Sequence, residues 1–197
     1  DYIVTATTGN AVDHGNLTEA RWGVAAAGNV NRSLFSGGRS GTSGVEINTV
    51  DYKDISTASN CADFGNLTNA IRYGAGLAGE TRALFAGGVF TNNSGAINID
   101  YFTIGSAGNA TDFGDLVNGS ARVGCGATSN NVRGLFVGGA AVNNQSNHMD
   151  YVAISTPSNA TDFGNLATAV YSPSGAANDT YATFAGGNSG SNPYRYT

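Results

Sequence analysis

The chain has 197 residues, of which 12% are charged, and a formal net charge of −5. That balance leaves no basic stripe for nucleic acid, and no apolar run is long enough to cross a membrane. With 41% apolar residues, nine Phe, nine Tyr and only three Pro, the chain reads as one packed domain over 1–197, not a disordered polar segment.

Four copies of one pattern fill the length, over approximately 1–50, 51–99, 100–149 and 150–197. Asp-Tyr opens each copy at Asp1, Asp51, Asp100 and Asp150. A second string, Asn-x-x-Asp-Phe-Gly-Asn-Leu, runs over 60–67 and 159–166 and returns over 109–116 with Asp115 replacing Asn and over 10–17 with His14 replacing Phe. A third places Phe35, Phe85, Phe136 and Phe184 two residues before a double glycine. A period of about 50 residues belongs to propellers and solenoid arrays, in which no single repeat buries a core alone.

Taken in chain order from Arg72, one unit predicts four short strands. Arg72–Ala78 is a first strand of small residues, and Arg82–Ala86 is a second, stopped by Gly87 and Gly88. After a variable loop, Ile97–Ile104 is the third, and Ala110–Gly114 a short fourth. Glycine recurs too often for a helix interior, and apolar spacing never follows the helical period. Four antiparallel strands led by a small-residue strand predict a propeller blade, with the small residues lining a crowded axis.

The fold class expected is therefore all-β, a four-bladed propeller of four-stranded antiparallel blades. The spacing of the ends continues the period from Thr197 to Asp1, so the last blade is expected to close from N- and C-terminal strands. Such a clasp hides sheet edges. The chain starts at Asp1 and not at Met, and is read as a processed product or a piece of something larger.

Arginine follows the repeat too. Arg21, Arg72 and Arg122 give way to Tyr171, and Arg32, Arg82 and Arg133 give way to Tyr181. Joint loss in the fourth copy predicts one local role, bonding backbone carbonyls or the repeated Asp between blades. Phe35, Phe85, Phe136 and Phe184 are expected between blades, while Asp13, Asp63, Asp112 and Asp162 read as turn-capping residues.

The order Arg-x-Gly, apolar strand, Gly-Gly, variable loop, Tyr strand and closing aromatic resembles the kelch repeat, with Phe64, Phe113, Phe163 and His14 where kelch blades usually carry Trp. Strings such as Ser158–Leu166 and Thr81–Gly88 are similar to kelch-like repeats in tail and other virion proteins of bacteriophages, especially marine ones. The resemblance implies a propeller in a virion or extracellular appendage, and it carries no catalytic residues.

Catalytic and metal chemistry find little support in the pattern. Three Asp-Phe-Gly strings lack the other parts of a kinase, and Lys53 is the sole lysine. Each copy offers one sure carboxylate where calcium needs six or more oxygens. His14 and His148 lack metal or triad partners, and Cys61 and Cys125 have neither disulfide nor metal spacing. No enzyme, cofactor or metal is expected. Asn-x-Ser/Thr strings follow from the Asn-rich repeat and are not read as glycosylation sites.

Binding is expected in the variable loops at one ring end, where Phe90, Asn92, Asn93, Asn143, Asn144, Tyr194 and Tyr196 suit sugar hydroxyls and faces. Trp22 and Tyr73 are expected to be buried between blades, with exposure at a ring end as the alternative. The partners expected are other virion proteins or a host-surface glycan or receptor. A non-enzymatic structural or receptor-binding module is the first reading, and a propeller lectin is the alternative. Oligomeric state is not legible in the sequence.

Overall fold

The computed structural model describes residues 1–117, 121–141 and 144–189. Its architecture is all-β and propeller-like. Among the described residues are three four-stranded antiparallel sheets, each a simple meander. The first contains Ala25–Gly28, Arg32–Ser36, Thr49–Asp54 and Ala62–Asn66. The second contains Ala75–Ala78, Arg82–Ala86, Asn98–Thr103 and Thr111–Asp115. The third contains Gly126–Ser129, Arg133–Val137, His148–Ala153 and Thr161–Asn165. A C-terminal hairpin, Ser174–Ala177 with Ala182–Ala185, repeats only the two inner strands. No described helix is long and apolar enough to cross a membrane.

Inner strands stand in series. Ala25–Gly28 packs on Ala75–Ala78, that on Gly126–Ser129, and that on Ser174–Ala177. Small residues are required because the backbones approach closely: a Cβ on Gly76 would lie 2.5 Å from the Ala26 carbonyl oxygen. Farther out, Phe64 meets Phe102 edge-on at 5.7 Å and Phe85 meets Phe102 at 6.0 Å. Leu34, Leu84, Ile99 and Phe136 are fully buried. Each such side chain contributes about 1.5–3 kcal/mol. Of the four repeated Phe residues, Phe85 and Phe136 are buried, whereas Phe35 and Phe184 are half-buried.

The outer strand of each four-stranded sheet carries a bulge between its Asp and its Gly. The amides of Gly15, Gly65, Gly114 and Gly164 donate to the carboxylates of Asp13, Asp63, Asp112 and Asp162 at 3.0–3.2 Å. The Gly65 φ of 143° excludes other residues, and its missing Cβ lets the Gly108 carbonyl approach.

The buried carboxylate of Asp-Tyr ties the third strand to the linker that enters its own sheet. Asp51 accepts from the Thr18 amide at 2.8 Å and hydroxyl at 2.7 Å. Asp100 repeats this with Thr68, both bonds at 2.8 Å, and Asp150 accepts from the Val117 amide at 3.0 Å. Guanidinium groups join two of the three: Arg21 lies 3.0 Å from Asp51 and Arg122 2.8 Å from Asp150, with all four side chains buried.

Arg72 does not take the corresponding place, although the sequence pattern aligned it there. Trp22 bridges Arg39, whereas Arg72 bridges Val89 and Val123 bridges Ala140. Arg72 thus occupies the position of Trp22, and the counterpart of Arg21 is Ile71. No described arginine pairs with Asp100, and burial pushes its carboxyl above the ordinary carboxylate value against the lowering effect of the Thr68 bonds.

Arg32 and Arg82 do join neighbouring sheets. Arg32 donates to the Ile104 carbonyl at 3.0 Å, and Arg82 to those of Ile154 at 3.2 Å and Ser155 at 2.7 Å. Arg133 lies over the Tyr151 ring at 4.6 Å and is exposed, because the sheet that would present its carbonyl is incomplete.

The clasp expected from the phase of the ends does not form among the described residues. Residues Tyr2 and Val12 pair with each other, and their segment sits against the first sheet. There the Cys61 amide donates to the Asn16 carbonyl at 2.8 Å, as Ala110 does to Asn66 and Ala160 to Asp115. The C-terminal hairpin packs at the other end of the series, and no comparable packing joins Ser174–Ala177 to Ala25–Gly28. Among the described residues, the hairpin is held by the third sheet and the Tyr2–Val12 segment by the first.

Asp51→Asn or Asp150→Asn strands a buried guanidinium and should lower stability by about 3–5 kcal/mol, measured by denaturant melts. Asp100→Asn strands none. Since folding raises the Asp100 pKa, the wild type loses stability through this group as pH rises from the ordinary carboxylate range through the raised value. The Asp100→Asn variant should therefore gain on wild type across that window; a pH-independent difference would contradict the desolvated carboxylate.

Arg82→Ala should cost about 1.5–3 kcal/mol, the usual loss for bonds to a charged group, and Arg133→Ala clearly less. Equal melting-temperature losses for the two variants would remove the distinction between an occupied and an empty partner position.

Candidate functional site

The loops after the double glycines gather at one end. There each second glycine amide donates to the unit that follows: Gly38 to Ile71 and Gly88 to Arg122 at 2.8 Å, and Gly139 to Val170 at 2.9 Å. The stretches between this bond and the third strand are free to differ in sequence because the bond already fixes their base.

Between the first two sheets these loops build a polar pair beneath two aromatic rings. Glu46, from the first loop, is buried and ion-paired with buried Arg72; Arg39 approaches the same carboxylate at 3.6 Å. Trp22 and Tyr73 stand above with ring centroids 5.7 Å apart. Guanidinium carbons lie over the Trp22 ring at 5.6 Å from Arg72 and 5.9 Å from Arg39, and Arg72 also lies 5.6 Å from the Tyr73 centroid. Trp22 remains 46% exposed. That corrects its expected burial: its lead-in position at the ring end holds the indole beside the loops, outside the space between sheets.

Tyr73 has a φ of 57° and is half-buried. Its backbone joins three units, with its amide donating to Gly23 at 2.8 Å and its carbonyl accepting from Gly124 at 2.9 Å. The left-handed turn required for these two bonds starts the inner strand at Ala75, three residues later than the predicted Arg72.

Only part of the predicted loop set meets this cluster. Asn93, at φ 61°, accepts from Arg72 at 3.3 Å and belongs to it. Asn92 is exposed and caps its own turn, accepting from the Ser94 amide at 3.0 Å and hydroxyl at 2.6 Å. Phe90 is half-buried against the core between the first two sheets, so its face is spent on packing. Asn144 is exposed in the third loop, paired with Ala141. Asn143, Tyr194 and Tyr196 lie outside the described residues. Sequence reasoning missed Glu46 and Arg39 and ranked the exposure of Trp22 second; a lone Glu in a loop otherwise free of acids was the available signal.

The cluster lacks the parts of an acid–base site, because its carboxylate is held by two arginines. Elsewhere His14 Nε2 contacts the Ile55 carbonyl at 3.0 Å and its ring lies 4.8 Å from Tyr2. Burial pushes the Cys125 thiol up to about 11 and raises that of Cys61 as well, leaving both protonated at neutral pH. Among the described residues no three His, Cys, Asp or Glu side chains converge as a metal site would require.

No protein-family model matches the chain, and no curated protein matches it in sequence. Among solved structures, one titled as the structure of YjhT is similar, with a TM-score of 0.70 and 12% identity. The match covers 85% of this chain and 59% of that one. The likeness is one of fold: this chain spans about 59% of the neighbour's length, so that neighbour has positions this arc does not fill.

Proposed function

We propose that this chain is a non-enzymatic structural or receptor-binding module of a phage virion or extracellular appendage, holding its partner at the loop end around Trp22. The exposed indole beside Tyr73, backed by the fixed Arg72–Glu46 pair, carries the binding part of this reading. Trp, Tyr and Arg are the residue types that dominate binding energy where they cluster on a rigid frame. The virion setting rests on the resemblance of Ser158–Leu166 and Thr81–Gly88 to phage repeats. The fold belonging to this reading is a kelch-like wheel of four blade units, with Ser174–Ala185 as the inner half of the fourth unit and Asp1–Val12 as the outer half.

A carbohydrate-binding lectin is the second reading, favoured by the same aromatic pair and by the Asn92 and Asn93 amides. A lectin with equivalent sites would repeat its aromatic platform around the wheel. Here the counterparts of Trp22 are Arg72, Val123 and Tyr171, so at most one such site exists among the described units. That asymmetry puts the single-partner module first.

Trp22 is the sole Trp, so its fluorescence reports the site directly. Virion proteins and purified surface polysaccharides, titrated separately, should give saturable emission changes only for the true partner. Trp22→Ala should weaken binding at least tenfold while leaving the melting temperature nearly unchanged. An emission spectrum unmoved by a partner that binds by mass measurement would place binding elsewhere. Sugar binding without incorporation into purified particles would favour the lectin.

A further inference from the structure

We propose that the space between the third sheet and the C-terminal hairpin is a seat for a second copy of this chain, whose Asp1–Val12 segment adds to the edge of Ala182–Ala185 that no described strand pairs. The sheet so completed has two strands from each chain. The contact is independent of what the loop end binds.

The seat is a cavity of about 560 Å³ whose lining includes Arg133, Leu135, Met149, Phe163, Leu166 and Tyr181. Its surface repeats one that is covered twice within the chain. Phe64 and Phe113 are each 2% exposed, whereas Phe163 is 47% exposed. Leu67 and Leu116 are buried, whereas Leu166 is half-buried, and Tyr181 is 73% exposed. The third strand of the next sheet provides the cover, as Phe102 does over Phe64 at 5.7 Å. By the repeat, the residue that would cover Phe163 is Ile3, which is 60% exposed at the other end of the arc.

The register is already specified. Ser33 pairs with Lys53, Ala83 with Phe102 and Gly134 with Val152. The same step sets Ala182 opposite Ile3 and Thr183 opposite Tyr2. It also gives Arg133 its missing acceptor: Arg32 and Arg82 reach the carbonyls of Ile104 and Ile154, and the repeat counterpart of those residues is Thr5.

The N-terminal end carries the complementary gap. Ile104 and Ile154 are 1% and 3% exposed beneath the inner strands of the preceding sheet, while Ile55, which has no such strands before it, is 46% exposed. Docking the C-terminal hairpin of one copy against the N-terminal segment of another covers Ile55 and Phe163 together.

A second copy fits better than the chain's own N-terminus. The Asp1–Val12 segment already sits on the first sheet through the Asn16 carbonyl and His14, and a neighbouring chain can receive it without moving it. Closure by the chain's own ends requires tightening an arc in which Ser174–Ala177 does not pack on Ala25–Gly28 as the other neighbouring inner strands pack on each other. The contact is head-to-tail. Two copies, each with three full sheets and two halves, close a ring of roughly eight blades, the upper end of the range for propellers.

Two chains test this, Ile3→Cys and Ala182→Cys, each combined with Cys61→Ala, which restores the residue that the other copies carry and leaves buried Cys125 as the remaining native thiol. Mixed and oxidised, they should form a disulfide-linked species of twice the 19.9 kDa chain mass, since directly paired strands place Cα atoms within disulfide reach. Light scattering of the unlinked wild type should show the same doubling with rising concentration, or a ladder of higher multiples from the same contact. Phe163→Asp, at an exposed ring, should abolish the doubling and leave the monomer's melting temperature in place. A chain carrying both cysteines that links to itself and stays monomeric at every concentration overturns the proposal in favour of a self-closed wheel. Mixed chains that stay unlinked and monomeric overturn it as well.

Discussion

One bond recurs at the entry to every full sheet: a buried carboxylate on the third strand accepts the amide of the linker entering that sheet. Thr18 to Asp51, Thr68 to Asp100 and Val117 to Asp150 are the three instances. The bond fixes the crossover from the outer strand of one unit to the inner strand of the next, and so sets the angle between sheets. Burying a carboxylate is costly, and two of the three offset that cost with an arginine. Asp100 has no such partner among the described residues, and burial raises its pKa.

Much of the frame is legible in the sequence because the repeat writes it several times. Strands 82–86, 98–103 and 111–115 fall within or beside the predicted runs, since Gly-Gly and Asn-x-x-Asp mark their ends by local turn chemistry. The failure at Arg72 has a physical cause. Arg-x-Gly looks like one motif in three copies, but the residue that matters is the one just before the residue that pairs behind the double glycine. That position holds Arg21, Ile71 and Arg122, so the apparent motif is displaced by one residue in the second copy. A one-residue shift at the lead-in exchanges a side chain beneath the sheet for one at the ring end. This is why Arg72 serves the loop cluster and leaves Asp100 alone.

The loop cluster was less legible for a different reason. Its members, Trp22, Arg39, Glu46, Arg72, Tyr73 and Asn93, come from two units and occupy positions where the repeat varies. Periodicity shows which positions are shared by all units, and thus which build the frame. It carries no information on how unshared positions from adjacent units meet. Their exposure depends on inter-unit geometry alone, so an indole that composition assigns to a core stands half in water.

The ends obey the same physics as the middle. A propeller sheet is stable when both of its faces are covered, and every internal unit here has a neighbour on each side. The first and last do not, and exposed apolar residues stand there: Ile3, Val4 and Ile55 at one end, Phe163 and Tyr181 at the other. An arc of this kind cannot bury its terminal faces by repacking them, because the residues on those faces are the ones that mate with a following or preceding copy. Exposure at the two ends is therefore a property of the repeat itself. It falls to zero only when an outer-strand pair meets an inner-strand pair, whether the two halves come from one chain or from two.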